Sequence, residues 1–518
     1  MASPRVDAAG GGPAKVCSLD ELRRVADELR ARDETIVLAH GAFDLLHIGH
    51  VHHLRAARKN GTVLMVTVTA DKHVIKGPGR PVFSEALRAE MVASLECVDW
   101  VAVHDGPSAE EAIEAIKPHV YVKGSEYADP DQDITGKIDD ERTAVEAHGG
   151  RLAFTDEATY SSSSLINRYL DIYDAPLRDY LNSLRLRNVG EELLEAIRRV
   201  EDKRVLVVGD AIIDEYVYVR SLGKSPKEDM IATLHSDSEM FAGGVFAAAN
   251  HAASLCAEVE LITVLGAADP HEDLIRASLK PNVRFTPIYR PGAPTTKKTR
   301  FVHPTYFRKL FEVYTMDDAE IGGELESALV SRISQQAPDY DLTIVTDFGH
   351  GMITGRAVEA LERHARFLAV NTQANSANFG YNLITKFARA DYICVDAPEA
   401  RLAAGDKSGE IESAVIERIR EQVRCEHHII THGDHGCIAF EPNGGVYHIP
   451  AFTKTVVDTL GAGDAFFAVT APLVAAGVPM EIAGVIGNAA GAMMVSVVGH
   501  RKSIEKTPLI KYLETLLK

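Results

Sequence analysis

Two separate stretches of this chain alternate short aliphatic and β-branched runs with segments of helical periodicity, a pattern that predicts parallel sheets covered by helices. The first stretch holds Thr35–His40, Val63–Thr69, Trp100–Val103, Val120–Val122 and Leu152–Phe154. The second begins at Arg204–Gly209 and continues through Val259–Leu265, Leu342–Thr346, Phe367–Val370, Tyr392–Val395 and His428–Thr431. Between them, Tyr169 to Arg199 carries apolar residues at helical spacing among many charges. Pro176 is placed to open one helix there and Gly190 to separate it from a second. No internal repeat relates the halves, so two different α/β folds are expected end to end. The expected divisions are a flexible tail and first helix over 1–30, a domain over 31–170, a helical connector over 171–199 and a domain over 200–518. A length of 518 residues agrees with more than one core.

Composition narrows the ligands. A formal net charge of −19 argues against a nucleic-acid surface, which needs basic patches. Small anions remain compatible, because a few local N–H donors and cations outweigh a distant net charge. The six cysteines are scattered with no C-x-x-C pair, which fits a reducing compartment rather than a disulfide framework or structural zinc. The first residues have no apolar signal-like core, and no run of 18 apolar residues exists. A cytoplasmic protein with no membrane partner is the expectation.

The first strand runs into Gly41-Ala-Phe43-Asp44-Leu-Leu-His47-Ile-Gly49-His50 and then a helical stretch. Glycine lets the backbone turn sharply off the strand. Two imidazoles three residues apart at a helix start can face one space, near unpaired N–H groups and the positive dipole end. That suits a polyphosphate, with the imidazoles donating hydrogen bonds as negative charge builds on phosphorus. The plainer alternative is a pair of ordinary polar helix-start residues. A metal site with His52 and His53 is disfavoured, since adjacent helical residues point about 100° apart and no acidic or sulfur ligand accompanies them.

The pattern G-x-F-D-x-x-H-x-G-H after a strand resembles the cytidylyltransferase-like nucleotidyltransferases. Lys76–Pro81, Arg88 ahead of Leu95–Trp100, Val122–Tyr127 and Ser161–Ile166 further resemble the adenylyltransferase half of the bifunctional heptose-phosphate kinase/heptose-1-phosphate adenylyltransferases. The likeness covers about residues 33–168. It implies a Rossmann-like domain in which His47 and His50 stabilise the transition state and Lys76 assists at the phosphates. Gly41, Phe43, Asp44, Gly49, Arg88, Lys123, Gly124, Ser162, Ser163 and Ser164 would line the nucleotide site. Serines at a helix start also cap the helix, which accounts for at least one of them without a ligand.

Near the other end stands Asp458-Thr-Leu-Gly461-Ala462-Gly463-Asp464-Ala-Phe-Phe467, followed by an apolar helical stretch. The glycines allow successive N–H groups to face one anion at a helix N-terminus. Asp464, at the helix start, is then placed to accept a proton from an attacking hydroxyl. The alternative is a glycine loop with Asp464 favoured there by the helix dipole. D-T-x-G-A-G-D-A-F resembles the signature of ribokinase-like (PfkB) carbohydrate kinases, over about residues 200–515. The resemblance implies a ribokinase-like α/β domain with Asp464 as base and Gly461, Ala462 and Gly463 as anion hole. Asp214, preferred over Asp210, would bind the sugar together with the di-glycine Gly243-Gly244. Thr431, Gly433, Gly436 and Asn488 would bind the nucleotide. Asp396 and Glu399 stand where the family's N-x-x-E motif organises magnesium water. Ala247 replaces an asparagine that touches the sugar in many relatives, which leaves the identity of the sugar open.

Together these readings imply a transferase that phosphorylates a sugar or sugar phosphate and then activates it as a nucleoside-diphosphate sugar, using Mg2+ and ATP. A heptose-like substrate follows from the resemblance, although that family usually places the kinase first. CTP in place of ATP, acting on a non-heptose sugar or polyol phosphate, is the alternative in the first domain. A further alternative is that one domain only binds a ligand. A homodimer is implied by analogy alone.

Overall fold

The computed structural model describes residues 15–74, 80–124, 137–155, 173–305, 307–453 and 455–518. The chain divides into two compact units, Met1–Asp174 with Ile510–Lys518, and Ala175–Leu509. Lys76, Ser162, Ser163 and Ser164 lie outside the described residues.

In the first unit Ser18 caps the helix Leu19–Arg30. Its hydroxyl accepts from Glu21 N at 3.2 Å while the Glu21 carboxylate accepts from Ser18 N at 2.9 Å, so each satisfies an otherwise orphaned donor. The strands are β1 (Val16–Cys17), β2 (Ile36–Gly41), β3 (Val63–Thr69), β4 (Trp100–His104), β5 (Val120–Gly124) and β6 (Arg151–Thr155). They form one sheet in the order β1-β4-β3-β2-β5-β6, parallel throughout. Along β2, Val37 and Ala39 pack into a core on one face, and Ile36 and Leu38 into a second core on the other. This two-sided burial is why the strand reads as an unbroken apolar run. Each fully buried Val, Leu or Ile contributes roughly 1.5–3 kcal/mol. The chain moves one way from β2 through β3 to β4, then returns to place β5 on the opposite side. Strand order therefore reverses beside β2, and the crevice at its C-terminal end is where such sheets bind ligands.

In the second unit the helices Ala175–Leu186 and Gly190–Arg198 come first, opening near Pro176 and at Gly190. Leu177, Leu181 and Leu184 are buried at helical spacing. The Arg187 guanidinium donates twice to Glu481 at 2.8 Å, and Tyr180 donates to the same carboxylate at 3.2 Å. The connector is thus packed as part of this unit.

The strands that follow are β7 (Arg204–Gly209), β8 (Ala211–Lys224), β9 (Ile231–Gly244), β10 (Glu258–Ile262), β11 (Val264–Gly266), β12 (Val283–Phe285), β13 (Ile288–Arg290), β14 (Thr296–His303) and β15 (Arg308–Thr315). After them come β16 (Leu342–Asp347), β17 (Leu368–Thr372), β18 (Tyr392–Asp396), β19 (His427–Thr431), β20 (Cys437–Phe440) and β21 (Val446–Ile449). The main sheet runs β12-β10-β7-β16-β17-β18-β19-β20-β21, with β20 and β21 antiparallel. Its order reverses between β7 and β16. A second sheet, β15-β14-β8-β9, is not evident from periodicity, and the single run expected over Val259–Leu265 is two strands, β10 and β11. The helices Ala462–Ala475 and Met480–Met494 are apolar and buried almost all round. No helix among the described residues is long and apolar enough to cross a membrane.

Candidate active sites

In the first unit, β2 delivers its motif at the sheet's switch point. Phe43 turns the chain with φ 47°, and a Cβ on Gly41 would come within 3.2 Å of the Phe43 ring. His47 caps the helix Ile48–Arg58, its Nδ1 accepting from Gly49 N at 3.1 Å. The His50 ring, one turn on, stacks on His47 with centroids 4.0 Å apart and makes a T-shaped contact with Phe43 at 5.2 Å. The two imidazoles are therefore held together at a helix N-terminus. Asp44 is buried and accepts from Val82 N at 2.5 Å, which pins the loop after residue 80 to the motif. Behind them His40 sits between the hydroxyls of Thr67 (2.9 Å) and Thr69 (3.2 Å), and burial holds it neutral, well below the usual histidine range.

Arg88 differs from its expected role. The Arg88 side chain is wholly buried and donates to Phe83 O at 2.9 Å, Thr69 O at 2.8 Å, Asp71 Oδ1 at 2.6 Å and Ala42 O. It braces the loops that frame the motif instead of facing a ligand. Lys123, beside Gly124 at the end of β5, pairs with the buried Glu141 at 2.9 Å.

In the second unit a cavity of about 320 Å3 opens where the second sheet meets the C-terminal ends of β17, β18 and β19. Gly461, with φ 77°, starts the helix Ala462–Ala475 and sets Asp464 in its first turn, facing this cavity. Gln373 Nε2 donates to Asp464 Oδ1 at 2.6 Å. Burial pushes the Asp464 carboxyl up to about 6, aided by Asp214 and opposed by His500, Gln373 and Lys298. Such a carboxylate is a stronger base than an exposed one and is still ionised at neutral pH. If it accepts the acceptor's proton, kcat/KM for the acceptor should fall about tenfold per unit as pH drops below about 6, where the base becomes protonated. A pH profile of ADP release flat to pH 5 would refute this.

Asp214 lines the same cavity, whereas Asp210 is turned under the loop after β16, accepting from Phe348 N at 2.8 Å. Burial opposes ionisation of Asp214, yet His500 and Arg300 hold it well below the usual carboxylate range. The di-glycine has a direct physical cause. A Cβ on Gly243 would lie 2.0 Å from Asp214 Oδ2, and Gly244 adopts φ 53°. Ala247 is buried in the helix Val245–Ala253.

Periodicity did not single out the cations of this cavity. Lys298 on β14 pairs in register with Asp214 on β8, its ammonium over the rings of Tyr314 (5.3 Å) and Phe348 (5.9 Å). Arg300 contacts the Asp214 carboxylate, and Lys309 on β15 reaches Asp458 at 2.7 Å.

Asp396 and Glu399 form a capping box for the helix Ala397–Ala404. Burial and the neighbouring Asp396 push the Glu399 carboxyl up to about 8. Among the described residues no group of three or more His, Cys, Asp or Glu is drawn together for a metal. Two adjacent carboxylates in the cavity of Asp464 nevertheless fit a cation held through water. Thr431 lines this cavity as well, while Gly433 (φ 54°) and Gly436 (φ 90°) shape the turn after it. Asn488 donates to Ile449 O and Pro450 O at 3.1 and 3.0 Å, tying a buried helix to the end of β21.

Comparison with known proteins agrees with this geometry. The Cytidylyltransferase-like family matches residues 38–168 and the pfkB family carbohydrate kinase matches 202–507, so the order along the chain is transferase-like first. The bifunctional protein HldE of Syntrophotalea carbinolica is 37% identical over 164 residues, 31% of this chain and 32% of that protein. The HldE of Bradyrhizobium diazoefficiens is 28% identical over 311 residues, 58% of this chain and 61% of that protein. The chain thus spans about a third of the length of the first curated relatives it matches. Escherichia coli phosphofructokinase-2, solved in complex with potassium, superposes with a TM-score of 0.50 at 14% identity, over 61% of this chain and 100% of its own, a likeness of fold. With a family match spanning more than half its length, the chain belongs to the pfkB family of carbohydrate kinases.

Proposed function

We propose that this chain is a two-step transferase. Its second unit uses ATP to phosphorylate a sugar phosphate, and its first unit joins the product to a nucleotide. The observation that carries the reading is one cavity holding Asp464 at a helix N-terminus, the sugar-anchoring Asp214, and the cations Lys298, Arg300 and Lys309. Asp214 receives acceptor hydroxyls. Asp464 takes the proton of the attacking hydroxyl as its oxygen bonds to the γ-phosphorus and the bond to ADP breaks. The N–H groups at Gly461–Gly463 meet the charge of the moving phosphoryl group. Asp396 and Glu399 would hold magnesium through water, and that cation would supply positive charge to the ATP phosphates. In the first unit, His47 and His50 donate to the α-phosphate as a sugar-phosphate oxygen attacks it and pyrophosphate leaves.

A neutral sugar would not need Lys298 and Arg300 beside its anchoring carboxylate, so a phosphorylated acceptor fits better. The resemblance to the heptose enzymes supports a heptose-like acceptor, with ATP favoured over CTP as nucleotidyl donor. The test is release of ADP and of pyrophosphate from purified protein with panels of sugars, sugar phosphates and nucleoside triphosphates. Lys298→Met should raise KM for the phosphorylated acceptor about 10–100-fold, the loss of one charge-assisted contact, while KM for ATP changes little. An equal rise with an unphosphorylated analogue would remove the argument for an anionic acceptor.

A further inference from the structure

His500 enters this site from the far end of the chain, and no motif marks it. Its side chain is 5% exposed, with Nε2 3.4 Å from Asp214 Oδ2. The two carbons that flank Nε2 face the glycines of the site. A Cβ on Gly461 would come within 2.4 Å of His500 Cε1, and one on Gly243 within 3.1 Å of His500 Cδ2. The imidazole therefore fills the room that side chains at two site glycines would need. Its backbone is fixed as well. Gly499 has φ 52°, and its N–H donates at 2.9 Å to Asp458, which also accepts from Tyr216 of β8 at 2.6 Å and Lys309 of β15 at 2.7 Å.

We propose that His500 is a positioning residue for phosphoryl transfer, a strut that holds the acceptor-anchoring carboxylate of Asp214 in register with the Gly461 turn of the anion hole. It works through two contacts. Nε2–H donates to Asp214 and orients that carboxylate toward the acceptor. The ring edge supports the left-handed turn at Gly461, from which the anion-binding N–H groups project. The distance between acceptor hydroxyl and phosphoryl group is then set by one rigid ring, and small errors in such a distance are costly to rate. The proposal rests on the kinase reading of the second unit.

The test compares His500→Leu, which fills the space without donating, with His500→Gln, whose amide can place a donor near the position of Nε2. Both are made in the full chain and assayed for ADP release with ATP, Mg2+ and a panel of aldose 5-, 6- and 7-phosphates. His500→Leu should raise acceptor KM about tenfold or more and lower kcat, with KM for ATP within about twofold, while His500→Gln stays within about threefold of the unmodified chain. A leucine variant with unchanged kinetics, or a glutamine variant as impaired as the leucine one, overturns the proposal. Loss of folded protein in both variants, read by circular dichroism, assigns a purely structural role and overturns it too. If the unmodified chain shows no acceptor-dependent ADP release, the kinase reading falls and this proposal with it. If release is present but insensitive to His500, only the proposal falls.

Discussion

Asp464→Asn should lower acceptor-dependent ADP release by about 10³-fold, within the usual range for loss of a positioned general base. The asparagine has the same shape and leaves the N–H groups of Gly461–Gly463 in place, so residual transfer should persist and KM for ATP should hold. Stability should hold or rise. The carboxylate is buried with Asp214 as a like-charged neighbour, and its pKa of about 6 records that burial disfavours the charge. A neutral amide removes that cost, while Gln373, which now donates to Asp464 Oδ1, can rotate its own amide to suit. The combination is diagnostic: an intact melting curve, an intact KM for ATP, and a collapsed kcat. Turnover within tenfold of the unmodified chain would show that another group takes the proton.

The parts of this molecule visible in its sequence are those built from neighbouring residues. Strands such as Val63–Thr69 and Arg204–Gly209 are buried on both faces, so their composition alone betrays them. The Gly461–Gly463 segment and the paired histidines are each a turn followed by a helix, and both were legible as such. What stayed hidden depends on distant partners. The second sheet joins β8 and β9 to β14 and β15 across about a hundred residues, and half of β9 is exposed, with no clean alternation. One signal was present in β14. Thr296, Lys298, Arg300 and Val302 occupy its buried positions, and two cations on the inward face of a strand need an anionic partner or ligand. Arg88 was misjudged for a related reason. An arginine within a nucleotide-binding pattern suggests phosphate contact, yet its donors are spent on loop carbonyls and on Asp71.

For the first unit, His50→Ala should lower pyrophosphate release about 10²–10³-fold, a loss comparable to removing one oxyanion-type donor. His47 needs a more careful variant, because it has two functions. Its Nδ1 caps the helix through Gly49 N, and this fixes the hydrogen of the neutral ring on Nε2, the edge able to donate to a phosphate oxygen. His47→Ala would remove both cap and donor, and loss of a cap alone costs about 1 kcal/mol. His47→Asn separates them, since asparagine is a good N-cap but cannot extend a donor as far as Nε2. The asparagine variant should therefore melt within a few degrees of the unmodified chain while losing about 10²-fold in pyrophosphate release. ADP release by the second unit provides the internal control, and it should be unchanged in the His47 and His50 variants. If the double variant His47→Asn, His50→Ala kept pyrophosphate release within tenfold, the stacked imidazoles would be helix-start packing and the transferase reading would fail.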